Sequence, residues 1–283
     1  MEHWEFAGST GDGLRLFGQG WRPAGEPLGV ACFVHGIGKH SGRWGHVGAA
    51  LAEAGFASLA YDLRGHGRSA GQRGHTPSYE ALLDDIARLL AEVGARFPGL
   101  PAFLYGHSLG GNLVLNYALR RGPMAPTPAG IIATDPWLRL AFAPPAWKVA
   151  LGRAVNSLWP SFTMANGLEL SALSREPGVE QAYRRDPLVH DRVTARLYVG
   201  YADAGEWALA HAAKLAIPTL LMHGGADRLS SLAASRQFAA AAGASCALKV
   251  WDGLYHEIHN EPEREQVLAH LVTWLKARSP SRT

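Results

Sequence analysis

The chain has 283 residues, 47% of them apolar and 18% charged, with a formal net charge of +3. That length allows one large domain, or one domain carrying an insertion, with a substantial core. So small a net charge, with no Lys/Arg cluster interleaved with aromatics, argues against a nucleic-acid partner. No apolar run reaches the ~18 residues that span a bilayer.

The N-terminus, MEHWEFAGSTGDG, lacks the basic and apolar regions of a signal peptide. Cys32 and Cys246 lie in apolar strand-like runs and read as free buried thiols of a reducing compartment. The localisation expected is cytoplasmic, possibly peripheral to a membrane. There are no repeats or low-complexity segments, and only the tail from Lys276 to Thr283 reads as frayed.

Trp4 to Ala7 and Leu14 to Trp21, separated by Thr10-Gly11-Asp12-Gly13, predict an antiparallel hairpin. Val30 to Val34 is a continuous apolar run that reads as a buried central strand. It ends in His35-Gly36-Ile37-Gly38. A helix is expected over Trp44 to Ala54 and a strand over Ala57 to Tyr61. A long amphipathic helix follows over Tyr79 to Arg96, with Leu82, Ile86, Leu89, Leu90 and Val93 on one side.

Ala102 to Tyr105 predicts a strand, and the run from Leu113 to Ala118 predicts a helix. Between them lies Gly106-His107-Ser108-Leu109-Gly110, a serine flanked by glycines at minus two and plus two. At a strand-to-helix junction this is the pattern of a nucleophile elbow, a strained turn that lifts the hydroxyl clear of the sheet. A chain of this glycine content yields roughly 0.2 such matches by chance. The flanking strand and helix supply the context that the pentapeptide alone lacks.

Further strands are expected at Gly130 to Ala133, Thr219 to Met222 and Ala247 to Trp251, with helices at about 230–242 and 263–277. Strand-helix alternation implies an α/β fold with a mostly parallel sheet covered on both faces. The stretch from about Trp137 to Asp203 breaks the alternation and shows no clear strand. There Trp147, Leu151, Ala154 and Leu158 share one helical face. The division expected is a core of residues 1–136 and 204–283 with a helical cap, or lid, over 137–203. The apolar face of the cap either lines a substrate tunnel, touches a lipid surface or packs on the domain beneath.

A serine needs an imidazole to take its proton and a carboxylate to orient that imidazole. Asp227 and His256 each follow a predicted parallel strand, where chemistry gathers in open α/β sheets. Asp135, at the end of the strand before the cap, competes for the acid role, and His259 for the base. His223 reads as a satisfied core histidine. The backbone N–H groups of Leu109 and Ile37 are the expected oxyanion donors, with Gly36 allowing close approach and His35 bracing the loop.

Two motifs resemble other sites. Gly65-His66-Gly67-Arg68-Ser69-Ala70 is followed by Gly71, Gly74 and Pro77, so no helix opens there to hold a pyrophosphate. His256-Glu257-Ile258-His259 has its histidines three residues apart, where a zinc-protease helix needs four. No metal and no cofactor are expected.

With these residues in place, the chain resembles the α/β-hydrolase superfamily over nearly its whole length. More narrowly it is similar to the monoacylglycerol lipase and lysophospholipase group, of the serine aminopeptidase S33 type. The matches lie in residues 35–44 (HGIGKHSGRW), 62–69, 106–111 and 255–261 (YHEIHNE), with Asp186-Pro187-Leu188-Val189 near the end of the cap. The resemblance implies Ser108 as nucleophile, Asp227 as acid, His256 as base and Ile37 and Leu109 as the oxyanion hole. It also implies hydrolysis of an acyl ester, most readily a monoacylglycerol. The acyl chain is expected to lie under the apolar cap face around Trp147, Leu151 and Leu158. Neighbouring activities on this scaffold are short-chain carboxylesterase, lysophospholipase and aminopeptidase, and a non-catalytic ligand-binding homologue is the alternative outside enzymes.

Overall fold

The computed structural model describes residues 1–121 and 125–279. The last four residues of the tail read as frayed therefore lie outside the described residues. Strands β1 (Glu2–Ser9) and β2 (Arg15–Arg22) form the expected hairpin, with β1 longer at both ends and β2 shifted by one residue. Next come β3 (Val30–Val34), helix α1 (Gly45–Glu53), β4 (Ala57–Tyr61) and α2 (Tyr79–Arg96). The Ser78 hydroxyl caps α2 by accepting the Ala81 N–H at 3.1 Å, and Pro98 follows its end.

β5 (Ala102–His107) runs two residues beyond its apolar stretch and passes directly into α3 (Leu109–Arg120), with Ser108 between them. β6 (Gly130–Thr134) completes this half of the sheet. After a long excursion, which holds two short strands (Thr163–Ala165 as β7, Arg192–Thr194 as β8) and three helices (Ala146–Leu158 as α4, Pro177–Arg185 as α5, Ala195–His211 as α6), come β9 (Thr219–Gly224), α7 (Leu232–Ala242), β10 (Cys246–Trp251) and α8 (Arg264–Lys276).

The eight-stranded sheet has the order β1-β2-β4-β3-β5-β6-β9-β10. It is antiparallel only where β2 meets β1 and β4, and parallel from β4 to β10. This is the α/β-hydrolase architecture. Alternation along the buried strands sends side chains to two cores. Val30, Cys32, Val34 and Leu104 pack under α2, α3 and α7. Phe33, Phe103, Tyr105 and Met222 pack under α1 and α8. Cys32 and Cys246 are both buried and free.

The excursion between β6 and β9 contains α4 (Ala146–Leu158), β7 (Thr163–Ala165), α5 (Pro177–Arg185), β8 (Arg192–Thr194) and α6 (Ala195–His211). β7 and β8 pair antiparallel, with Met164 opposite Val193, so the segment does contain strands. Three-residue strands are too short to carry a two-residue period, and pairing between residues 27 to 31 positions apart leaves no local trace. The line drawn between 203 and 204 falls inside α6, a continuous helix whose Tyr201, Ala208 and Leu209 join the core beside α3.

Among the described residues, no helix is long and apolar enough to cross a membrane.

Candidate active site

Parallel strands bring their carboxyl ends to one rim, and the chain leaves that rim at Val34, His107, Thr134, Gly224 and Trp251. β3 and β5 are neighbours, so the loop after Val34 lies against the turn after His107. Similarly, β6, β9 and β10 are successive neighbours, which collects Asp135, Asp227 and His256.

Ser108 has φ 56° and ψ −116°, a conformation costly for a residue with a side chain. Three backbone hydrogen bonds hold it there. Its N–H donates to Thr134 O at 2.9 Å, and its carbonyl accepts from Asn112 N at 3.0 Å and Trp137 N at 2.9 Å. The glycines around it are steric necessities. A Cβ on Gly106 would overlap the Gly110 carbonyl, and one on Gly110 would overlap the Val34 carbonyl. The elbow expected from the pentapeptide is therefore present as geometry.

A Cβ on Gly36 would come within 3.4 Å of Ser108 Cβ, so the loop 35–38 runs directly beside the serine. His35 is buried and braces that loop. Its Nε2 accepts the Leu63 N–H at 2.9 Å, so Nδ1 carries the proton and donates to Gly36 O at 2.8 Å. Burial lowers its pKa to about 3, which keeps the ring neutral. Leu109, first residue of α3, offers an N–H with no partner inside the helix.

Asp227 and His256 meet. His256 Nδ1 lies 2.8 Å from Asp227 Oδ2, and both side chains are buried. Asp227 is held by other donors as well. Leu229 N (2.7 Å) and Ser230 N (3.2 Å) reach Oδ1, and the Ser230 hydroxyl donates to Oδ2 at 2.5 Å. Burial would raise the carboxyl's pKa, but the attraction of His256, with hydrogen bonds from His223 and His256, holds it far below the ordinary range. His223 is thus more than a satisfied core histidine. Its Nε2 lies 3.3 Å from Asp227 Oδ2 while Nδ1 meets the Ser235 hydroxyl at 2.9 Å. A strand histidine followed by a turn and an acid was the available signal.

Of the two competitors, Asp135 stands near the pair but accepts the Gly224 N–H at 2.7 Å. Burial, reinforced by the charge of Asp227, pushes its pKa well above the usual carboxylate range. His259 sits in the 3-10 turn Ile258–Asn260, stacked on Trp44 with ring centroids 5.0 Å apart. Burial lowers its pKa to about 3. His107 lies between the two histidines, 4.8 Å from each ring. Ser108 Oγ makes no side-chain hydrogen bond with the described residues. The ring of His107, the residue before Ser108, lies 4.8 Å from that of His256.

Sequence reasoning also missed a buried ion pair. Lys39, in the loop after β3, meets Glu257 beside His256, and Asn260 Nδ2 donates to the other Glu257 oxygen at 2.6 Å. Burial acts to raise the Glu257 pKa, but the Lys39 charge overrides it and holds it at about 2. Nothing local links residues 218 positions apart.

Among the described residues, the group able to offer three metal-ligand atoms within 4.8 Å is Asp135, Asp227 and His256, without His259. In that group Asp227 Oδ2 and His256 Nδ1 are already bonded to each other.

Trp147, Leu151 and Leu158 share one face of α4 as expected, but that face points outward. They are 64%, 55% and 87% exposed, with Phe142, Trp159 and Met164 exposed nearby. This removes the readings in which they pack on the domain beneath or line an enclosed substrate tunnel. The half-buried side of α4 carries Val149, Val155 and Asn156, and Asn156 accepts from Arg196 of α6 at 2.7 Å.

Comparison with known proteins identifies the family. The family described as serine aminopeptidase, S33, matches residues 25–263. An abhydrolase domain-containing protein of Dictyostelium discoideum is 35% identical over 95% of the chain, which spans 28% of that longer protein. A monoacylglycerol lipase of Mycolicibacterium smegmatis is 35% identical, covering 97% of this chain and 96% of the relative. The crystal structure of the Paleococcus ferrophilus monoacylglycerol lipase superposes with a TM-score of 0.85 at 33% identity, over 99% of this chain and 100% of that one. A family match over most of the chain places it: the chain belongs to the serine aminopeptidase S33 family of α/β-hydrolases.

Proposed function

We propose that the protein is a carboxylic ester hydrolase acting on monoacylglycerols, with Ser108 as nucleophile, His256 as general base and Asp227 as its orienting acid. The observation that carries this reading is the buried Asp227–His256 hydrogen bond at 2.8 Å, on the same rim as a serine held at φ 56°. A neutral hydroxyl becomes a useful nucleophile only when an imidazole takes its proton, and a carboxylate on Nδ1 selects the tautomer that leaves Nε2 free to do so.

Ser108 Oγ attacks the ester carbonyl carbon while His256 Nε2 takes its proton. The oxyanion is held by the N–H groups of Ile37 and Leu109, and the alcohol departs with the proton from His256. Water, deprotonated by the same imidazole, then attacks the acyl-enzyme and releases the acid. Each step needs the imidazolium stabilised for a moment, and Asp227, ionised throughout, does this.

The segment from about 139 to 194 acts as the cap in this reading, with α6 belonging to the core that supports it. The outward apolar face of α4 suits a substrate that resides in lipid: Trp147, Leu151 and Leu158 touch the lipid surface from which the ester is drawn. The likeness to two monoacylglycerol lipases over nearly whole chains supports the glyceride over other esters.

The test is hydrolysis of a monoacylglycerol series of rising chain length, beside lysophosphatidylcholine, a triglyceride and an amino-acid amide, by wild type and Ser108→Ala. The expected result is serine-dependent turnover favouring medium or long monoacylglycerols, with a loss on the order of 10⁶ in the variant. Turnover that survives Ser108→Ala would sink the mechanism. Serine-dependent turnover of short esters or amides alone would sink the substrate.

A further inference from the structure

The loop that carries His256 does not hold itself in place. Residues 169–175, the strap that follows β7 and includes a 3-10 turn at Leu170–Ala172, lie along it and receive its backbone donors. The His256 N–H donates to Ala172 O at 3.4 Å, and the Glu257 N–H to Leu173 O at 2.6 Å. The Ser174 hydroxyl donates to Asn260 O at 2.9 Å. Ala172 and Leu173 are fully buried in this contact. On its other side the strap meets the acid loop, where Arg228 reaches Glu169 at 3.2 Å and Ser171 O at 3.4 Å.

Its end is fastened by a charge. Arg175 Nε donates to Glu261 Oε2 at 2.8 Å, and the Arg175 N–H reaches Oε1 at 3.2 Å. A second arm of the guanidinium pairs with Glu263. The Glu261 side chain is 0% exposed, and its Oε1 also accepts the N–H of Tyr255, the residue preceding His256. One carboxylate thus ties the strap to both ends of the catalytic loop. Such an anion is tolerable in the interior only while its cation stays, because an unpaired buried charge is strongly destabilising.

We propose that Arg175 is a positioning residue for His256: through Glu261 it fixes the loop 255–261, so that the setting of the strap and the aim of the imidazole are one structural variable. The proposal rests on His256 acting as the base. α4 shares none of these fastenings, so the lipid-facing part of the cap can rearrange while the strap keeps the base aligned.

The experiment uses a short soluble ester, p-nitrophenyl butyrate, so that lipid contact plays no part, and counts active sites with a fluorophosphonate that labels Ser108. Arg175→Met should lower kcat per labelled site on the order of 10²-fold, the scale of a misplacement near 1 Å, with KM nearly unchanged. Arg175→Lys, which keeps the charge, should recover part of it. Glu261→Gln should lower kcat as well, and the double variant should be no worse than the poorer single one, since both remove one fastening.

The proposal is overturned if Arg175→Met keeps kcat per labelled site within twofold, including the case where only the labelled fraction falls. It is also overturned if the two losses multiply in the double variant. Wild-type activity that survives Ser108→Ala or His256→Ala would overturn the underlying reading of the triad instead, which separates the two failures.

Discussion

Ser108 shows how a strained residue is tolerated. Its positive φ is held by Thr134 on one side and by Asn112 and Trp137 on the other, so relaxing it would break three backbone hydrogen bonds. The same turn leaves the N–H of Leu109 without an intrahelical partner, because α3 begins there. Proline is well accommodated at the first helical position. Leu109→Pro should lower stability through its lost buried side chain, and in the folded fraction delete one oxyanion donor, costing roughly 3 kcal/mol of transition-state stabilisation, about 10²-fold in kcat. Comparing kcat and circular dichroism of the variant with wild type checks this, and a folded variant with full activity removes Leu109 from the oxyanion hole.

Helix α4 inverts the usual orientation of an amphipathic helix. An apolar stripe at helical spacing normally marks the face turned inward. Here the stripe of Trp147, Leu151 and Leu158 is the face turned out, and the helix is held instead by Val149, Val155 and pairs such as Arg153–Asp203 at 2.5 Å. Since the three side chains bury little in the free protein, replacing each with serine should change stability by no more than about 0.5 kcal/mol. Turnover of monoacylglycerol in vesicles or micelles should nevertheless fall severalfold in the triple variant, while hydrolysis of a soluble short ester is unchanged. A vesicle assay beside urea unfolding reads both quantities. Equal loss on both substrates would mean that α4 shapes the catalytic site rather than a lipid contact.

For the molecule as a whole, burial of neutral histidines around the rim sets the response to acid. His35 and His259 are held near 3 by desolvation, against 6.5 when free. Below about pH 6.5 the unfolded chain takes up protons that these folded rings refuse, so the stability they leave intact at neutral pH is lost progressively between pH 6.5 and 3. The ceiling is ~5 kcal/mol for each. Glu257, lowered from 4.5 to about 2, adds a loss of the same sign as the pH falls through 4.5. The Tm should therefore fall on acidification from pH 7 to 5, and His259→Gln should flatten that slope even if it lowers Tm at pH 7. A series of melts by circular dichroism tests it, and equal slopes in the two proteins would rule His259 out.

Much of this was present in the residues themselves. β3, β4 and α2 begin and end where apolar runs, β-branched residues, the Ser78 cap and Pro98 say they should, since these are local preferences. Gly106, Ser108 and Gly110 announce the elbow because three backbones approach too closely there for a Cβ. The order of Ser108, Asp227 and His256 after parallel strands follows from the alternation of elements. What only the tertiary structure decided is how distant segments meet: His223 against Asp227, Lys39 against Glu257, the β7–β8 ribbon, and Arg175 on Glu261. It also decided which way the apolar face of α4 points, because periodicity reports that a stripe exists and not whether anything covers it. Local sterics and hydrophobic spacing are written in consecutive residues. The partner of a buried charge or an apolar face is set by packing between residues far apart in the chain, where no local pattern records it.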